Sequence, residues 1–140
     1  MPPADRERPR INHLAGFCCP PPELVLHGRR VEAASGDVRP LSHSGNVSLY
    51  GVDGLYVHAS GLIGVQNGAG TERIVRYRLD GEGTEVRSLD VLESRNPVFA
   101  IPTTGVVVGA SFYYIANSRI DQLGADGRLK SRARLEPVVV

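Results

Sequence analysis

The stretch GVDGLYVHASGLIGVQNGAGTERIVRYRL, Gly51 to Leu79, decides how this chain is read. Leu55 to Val57 and Leu62 to Val65 are short apolar runs, set apart by His58 to Gly61 and closed by Gln66, Asn67 and Gly68. Runs this short, bounded by turn formers, predict strands. From Arg73 to Leu79 the residues alternate, with Val75, Tyr77 and Leu79 on one face and Arg76 and Arg78 on the other, as in a half-buried strand. Asp80-Gly81 supplies turn residues that tolerate positive φ, and Glu85 to Leu92 returns as a fourth strand.

Outward from this stretch the same grammar continues. Upstream, Leu24 to Leu26 and Val31 to Ala34 are short apolar pieces, Ser35, Gly36 and Asp37 form a turn, and Val38 to Leu41 reads as a strand. Pro40 suits an edge strand there, because proline cannot donate to a ladder. Downstream, Val106 to Val108 and Phe112 to Ala116 are strands around a Gly109-Ala110-Ser111 turn, the second expected to be buried on both faces. Asp126-Gly127 marks one more hairpin before Leu129 to Leu135, and no segment has the period of an amphipathic helix.

The stretch also recurs. Gly54 to Asn67 laid over Gly105 to Asn117 matches a glycine, three apolar residues, an Ala-Ser turn, an apolar strand and a closing asparagine, with one residue fewer in the second copy. The turn glycines Gly36, Gly81 and Gly127 each precede a strand of similar character. A period of roughly 40 to 50 residues with four strands per unit is the signature of propeller blades. A ring needs at least about four blades to close, and this chain supplies no more than about three. The expected architecture is all-β: a partial β-propeller spanning residues 23–140, about three four-stranded antiparallel blades, belonging to the C-terminal part of a larger ring.

Composition sets the outer limits. With 41% hydrophobic and 22% charged residues among 140, the chain is globular in class. A net charge of +1 argues against a surface built to neutralise many phosphates, so no nucleic-acid partner is expected. Residues 1–22 hold six of the ten prolines without helix or strand period and are expected to be disordered, with Pro20 to Pro22 a spacer. Cys18 and Cys19 are adjacent, which suits neither a mutual disulfide nor a zinc site. Nothing at the start resembles a secretory signal and no apolar run could span a bilayer, so the chain as written is expected to be cytoplasmic, without a membrane partner.

At GVDGLYVHASGLIGVQNG, continuing to IVRYRLDGEG and later YYIANS, the order of residues resembles the SMP-30/gluconolactonase/luciferin-regenerating family of six-bladed propellers. The resemblance covers about residues 46 to 136. It implies a divalent cation (calcium, zinc or magnesium) at the channel mouth, held by carboxylate and asparagine ligands from several blades, and hydrolysis of lactones or esters as the chemistry. By motif position Asp53 corresponds to the metal-binding aspartate, with Val52 in place of the usual preceding proline. The other ligands lie in blades this chain does not contain. The resemblance therefore implies an enzyme only in an intact parent acting on a small-molecule substrate, with that parent periplasmic or secreted if exported. In this chain alone no tightly bound cation is expected, and its open faces would be met by missing blades or by self-association.

Each residue singled out has a plainer reading beside the functional one. Asp53 precedes Gly54, so its carboxylate could serve a local turn. Asn67, Thr103 and Asn117 stand where side chains could face a channel, yet asparagine at a strand end is also a turn former, and Thr103 and Thr104 are open to both readings. His58 sits at a turn without a carboxylate partner, and His13, His27 and His43 have no metal-ligand spacing. Ser60 and Ser118 lack a nucleophile elbow. Arg73, Arg76 and Arg78 are read as a solvated face. A non-catalytic binding scaffold is the second reading of the whole.

Overall fold

The computed structural model describes residues 28–68, 70–130 and 135–140, and these form an all-β structure with no α-helix. The expectations for residues 1–22, for Leu24 to Leu26 and for the middle of Leu129 to Leu135 lie outside the described residues. Among the described residues nine strands occur: β1 (Arg29–Val31), β2 (Val38–Pro40), β3 (Ser42–His43), β4 (Val52–His58), β5 (Gly61–Gln66), β6 (Arg73–Leu79), β7 (Glu85–Ser94), β8 (Gly105–Val108) and β9 (Ser111–Tyr114). A 3-10 turn covers Ile120–Gln122.

Instead of three four-stranded sheets, the described strands make sheets of two, five and two. The central one has the order β3-β7-β6-β5-β4. Its strands β4 to β7 form an antiparallel meander, and β3 adds a short parallel pair to β7 through Ser42 and His43. β1-β2 and β8-β9 are separate antiparallel hairpins, so Pro40 does lie in an edge strand.

The strand buried on both faces is β5, GLIGVQ, every residue of which is buried. It divides two apolar clusters. On one face Leu62, Val75, Tyr77 and Val86 pack with Leu41 and Val47 from the segment that precedes β4. On the other, Ile63, Val65 and Ile74 receive Tyr56, Phe99, Phe112 and Tyr114. Each large aliphatic side chain so buried contributes on the order of 1.5 to 3 kcal/mol, which explains why β5 anchors the stack. β9 departs from the expectation of double burial: Tyr113 is 51% exposed, because no described residue covers the outer face of the β8-β9 hairpin.

Strand pairing corrects the internal alignment. His58 faces Gly61 across the Ala59-Ser60 turn, and Val108 faces Ser111 across Gly109-Ala110. Both hairpins therefore have two-residue turns, and the offset between them is a uniform 50 residues, the separation of Asp53 and Thr103, with nothing deleted. Leu55, not Gly54, is the counterpart of Gly105. The backbone agrees at two places: Ala59 and Gly109 have φ of 52° and 60°, and Gly51 and Ile101 have φ of 70° and 60°.

The turn pair gives a direct prediction. A left-handed residue with a Cβ costs about 1 to 2 kcal/mol that glycine avoids, less glycine's greater entropy when unfolded. Ala59→Gly is expected to raise stability by roughly 0.5 kcal/mol and Gly109→Ala to lower it by about 1 kcal/mol, read as opposite shifts of the urea midpoint.

The β6-β7 turn is built differently from its Asp-Gly signature. Positive φ falls on Gly83, not Gly81, and Asp80 organises the loop. Its Oδ2 accepts from Thr84 Oγ1 at 2.7 Å, and its Oδ1 from the N–H groups of Thr84 (2.6 Å) and Glu85 (3.2 Å). The Thr84 hydroxyl above all, helped by these N–H groups, holds the Asp80 carboxyl down at about 2. A depressed carboxyl stabilises the fold above its unfolded value of about 3.9 and loses that contribution as pH falls toward 2. Stability of Asp80→Asn is accordingly expected to fall less steeply than that of the natural chain between pH 4 and 2 in acid titrations followed by circular dichroism.

Candidate functional site

The β8-β9 hairpin meets the central sheet at β4, and Asp53 and Thr103 come together where β4 and β8 begin. A register shift between Val52 and Gly54 bulges the start of β4 and leaves Asp53 exposed. Its Oδ2 accepts a short hydrogen bond from Thr103 Oγ1. These two residues occupy the same position in the two copies, so the repeat itself brings them side by side.

Thr103 belongs to the segment 100–105, which is tied down along its length. Asn67 Nδ2 donates to Pro102 O at 2.8 Å. Glu72 Oε1 accepts from Ile101 N at 2.7 Å, and Ser118 Oγ donates to Ile101 O at 2.6 Å. Farther on, Tyr56 Oη accepts from Gly105 N at 2.7 Å and shares a hydrogen bond with Thr104 Oγ1 at 2.8 Å. Ile101 is β-branched yet left-handed, a conformation that costs of order 1 to 3 kcal/mol. The bonds from Glu72 and Ser118 hold it there.

Asn117 repeats what Asn67 does. Buried, it donates from Nδ2 to Pro137 O at 2.9 Å and accepts from Val139 N at 2.7 Å. Both asparagines thus fasten backbone well downstream of their own strand: Pro102 in one case, Pro137 and Val139 in the other. Of the residues named from sequence, the structure unites Asp53, Asn67 and Thr103 around one rim and places Asn117 at the equivalent point of the second unit.

The remaining sequence candidates stand apart. His58 is at the opposite end of β4 from Asp53, five residues or roughly 17 Å away by strand rise. Ser118 spends its hydroxyl on Ile101 O, and His43 pairs in β3 beside β7. Arg78 is ion-paired to Asp90 at 2.7 Å, so the basic strand is partly neutralised. Sequence reading missed Tyr56, Glu72 and Ile101. A signal for Ile101 existed in the repeat, since it stands fifty positions after Gly51.

Whether these residues could hold a hard cation follows from counting donors. Calcium takes six to eight oxygens and magnesium six, while the rim offers the Asp53 carboxylate and the Thr103 hydroxyl, already bonded to one another. Among the described residues no three of His, Cys, Asp and Glu come together. The residues present do not fit a resident metal by themselves. No helix among the described residues is long and apolar enough to cross a membrane. A scan against models of known protein families finds no match, and searches of characterised proteins and of solved structures find none.

Proposed function

We propose that this chain is a portion of a six-bladed β-propeller of the SMP-30/gluconolactonase-like kind, contributing Asp53 to a channel-mouth site but no complete site of its own. The whole protein would hydrolyse lactones or esters with a divalent cation, which supplies carbonyl polarisation and activation of water when bound. The observation that carries the reading is the alignment of Asp53 and Thr103 on one rim by a 50-residue offset. Such an offset is the length of a propeller blade. The antiparallel meander β4 to β7, entered at Asp53, has the strand order of a blade.

Stacking supports the same view. The β8-β9 hairpin packs Phe112 and Tyr114 onto the Ile63, Val65 and Ile74 face of the central sheet. Phe112 stands fifty residues after Leu62, whose side chain packs on the preceding segment through Leu41 and Val47. Each unit therefore leans on the one before it with the same face. The experiment is lactone hydrolysis, with and without calcium, magnesium or zinc, by a polypeptide that joins this chain to its remaining blades. Asp53→Ala is expected to lower that activity at least about a hundredfold, the scale of losing a residue from the reacting centre. Unchanged activity would remove Asp53 from the site.

A second reading, a non-catalytic propeller scaffold, is favoured by one specific observation: the Asp53 carboxylate is engaged by Thr103, in a rim that presents hydrogen-bonding groups rather than a carboxylate cluster. Full lactonase activity in the joined polypeptide would exclude it.

A further inference from the structure

We infer that the cleft between the β1-β2 hairpin and the β6-β7 turn is a binding site for a small zwitterion the length of a dipeptide, with its carboxylate at Arg39 and its ammonium group at Asp37. The inference stands on the charge pattern of the hairpin and does not depend on the hydrolase reading.

Register sets that pattern. Arg30 stands directly opposite Arg39, and Val31 opposite Val38. One step farther, Glu32 N donates to Asp37 O at 2.9 Å, so these two acidic residues are opposed in turn. Side chains alternate between the faces of a strand, which puts Arg30, Arg39, Glu32 and Asp37 on one face and the valine pair on the other. All four charged residues line one cavity of about 450 Å3. The face therefore carries a rung of two cations followed by a rung of two anions.

Like charges directly opposite one another across a strand pair are unfavourable, and this hairpin contains two such pairs. Arg30 offsets part of the repulsion by reaching Glu32 at 3.6 Å and by donating from Nη1 to Glu82 O at 3.1 Å. Asp37 and Arg39, two residues apart along the backbone, form no ion pair with each other. An ammonium group over the acidic rung and an oxyanion over the arginine rung would relieve both repulsions at once, and a guanidinium matches a carboxylate in planar, bidentate geometry. Because the two rungs cancel in charge, a ligand with one charge of each sign complements the cavity better than a phosphate or a polyamine.

Spacing gives the length of the ligand. Two residues of strand separate the rungs, about 6.6 to 6.8 Å, and an extended dipeptide spans about 6.6 to 7.2 Å. An α-amino acid carries both of its charges on one carbon and does not reach from one rung to the other. The volume lies in the range of about 300 to 1,000 Å3 usual for small-molecule sites. Ser42 and Thr84 form the facing wall, and they are fixed to the central sheet. Ser42 donates from both N and Oγ to Thr84 O at 3.1 Å, and Thr84 Oγ1 donates to Asp80 Oδ2 at 2.7 Å.

The test titrates the full chain with glycylglycine, followed by amide chemical shifts, beside glycine, N-acetylglycylglycine, glycylglycinamide and inorganic phosphate. The expected result is saturable shifts at Val38, Ser42 and Thr84 with glycylglycine, and binding at least about tenfold weaker for each of the other probes, the scale of one charge-assisted hydrogen bond. Arg39→Gln should erase the penalty for amidating the carboxylate and keep the one for acetylating the amine. Asp37→Asn should do the reverse. Absence of saturable shifts with glycylglycine would overturn the inference, as would equal binding of the capped and uncapped probes or phosphate binding as tight as that of glycylglycine. Variants that weaken every probe alike would overturn it too, since a general disturbance of the hairpin does not choose between the two ends of the ligand.

Discussion

Gln66→Leu is expected to lower stability by roughly 3 kcal/mol, although leucine is the more hydrophobic side chain. Gln66 is fully buried, and both of its N–H donors and its carbonyl oxygen are engaged. Nε2 donates to Ser48 O at 3.1 Å and to Tyr50 O at 2.7 Å, while Oε1 accepts from Arg73 Nε at 2.7 Å. These bonds strap residues 48–50, which lead into the Asp53 bulge, across the central sheet. Leucine would leave Tyr50 O and the guanidinium without their partner, each at about 1 to 3 kcal/mol. A shift of the denaturant midpoint at constant slope measures the loss. A cost below 0.5 kcal/mol, the range of ordinary surface substitutions, would mean that the strap is not held by this amide.

Gly64→Ala should be nearly as costly, at about 2 to 3 kcal/mol, for a steric reason. The added methyl would lie 2.8 Å from the Tyr77 ring and 3.2 Å from Val75. Tyr77 cannot retreat, because it is fully buried and donates its hydroxyl to Ser48 O at 3.2 Å. Burial also pushes its phenol pKa up, as expected of a ring enclosed on this face. In a Tyr77→Leu background the same alanine should cost under about 1 kcal/mol, so a double-mutant cycle should show at least 1 kcal/mol of coupling. Additive effects would show that the ring does not define the glycine.

Which parts of this were legible in the sequence follows from how local each cause is. The alternation of Arg73 to Leu79 marks β6 to the residue, since its two faces meet different surroundings. β4 runs from Val52 rather than Leu55 because its polar start is held by pairing with Gln66 and Val65, which no local pattern encodes. Similarly, the parallel contact of Ser42 and His43 with β7 joins residues more than forty apart in a polar loop. The repeat was visible, but glycines misled its alignment: Gly54 and Gly105 are conspicuous, while the equivalence that matters is carried by turn length.

The site was legible as a set of residues and not as an arrangement. Asp53, Asn67 and Thr103 stand out as polar residues at strand ends, yet their meeting depends on one unit stacking on the next. Glu72 and Ser118 act on the backbone of Ile101, and a bond to a main-chain group leaves no trace in the identity of its partner. The outer face of β8-β9 misled for the opposite reason. Its apolar sequence implies a cover that no described residue supplies.

In the reading proposed above, this chain carries one member of a metal site and not the site. Calorimetric titration of the chain with calcium, magnesium and zinc, beside Asp53→Ala, tests it most directly. Only weak association is expected, with a Kd of about 1 mM or higher because one carboxylate stands in for six oxygens, and little difference between the two proteins. One-to-one binding in the micromolar range that Asp53→Ala abolishes would contradict it.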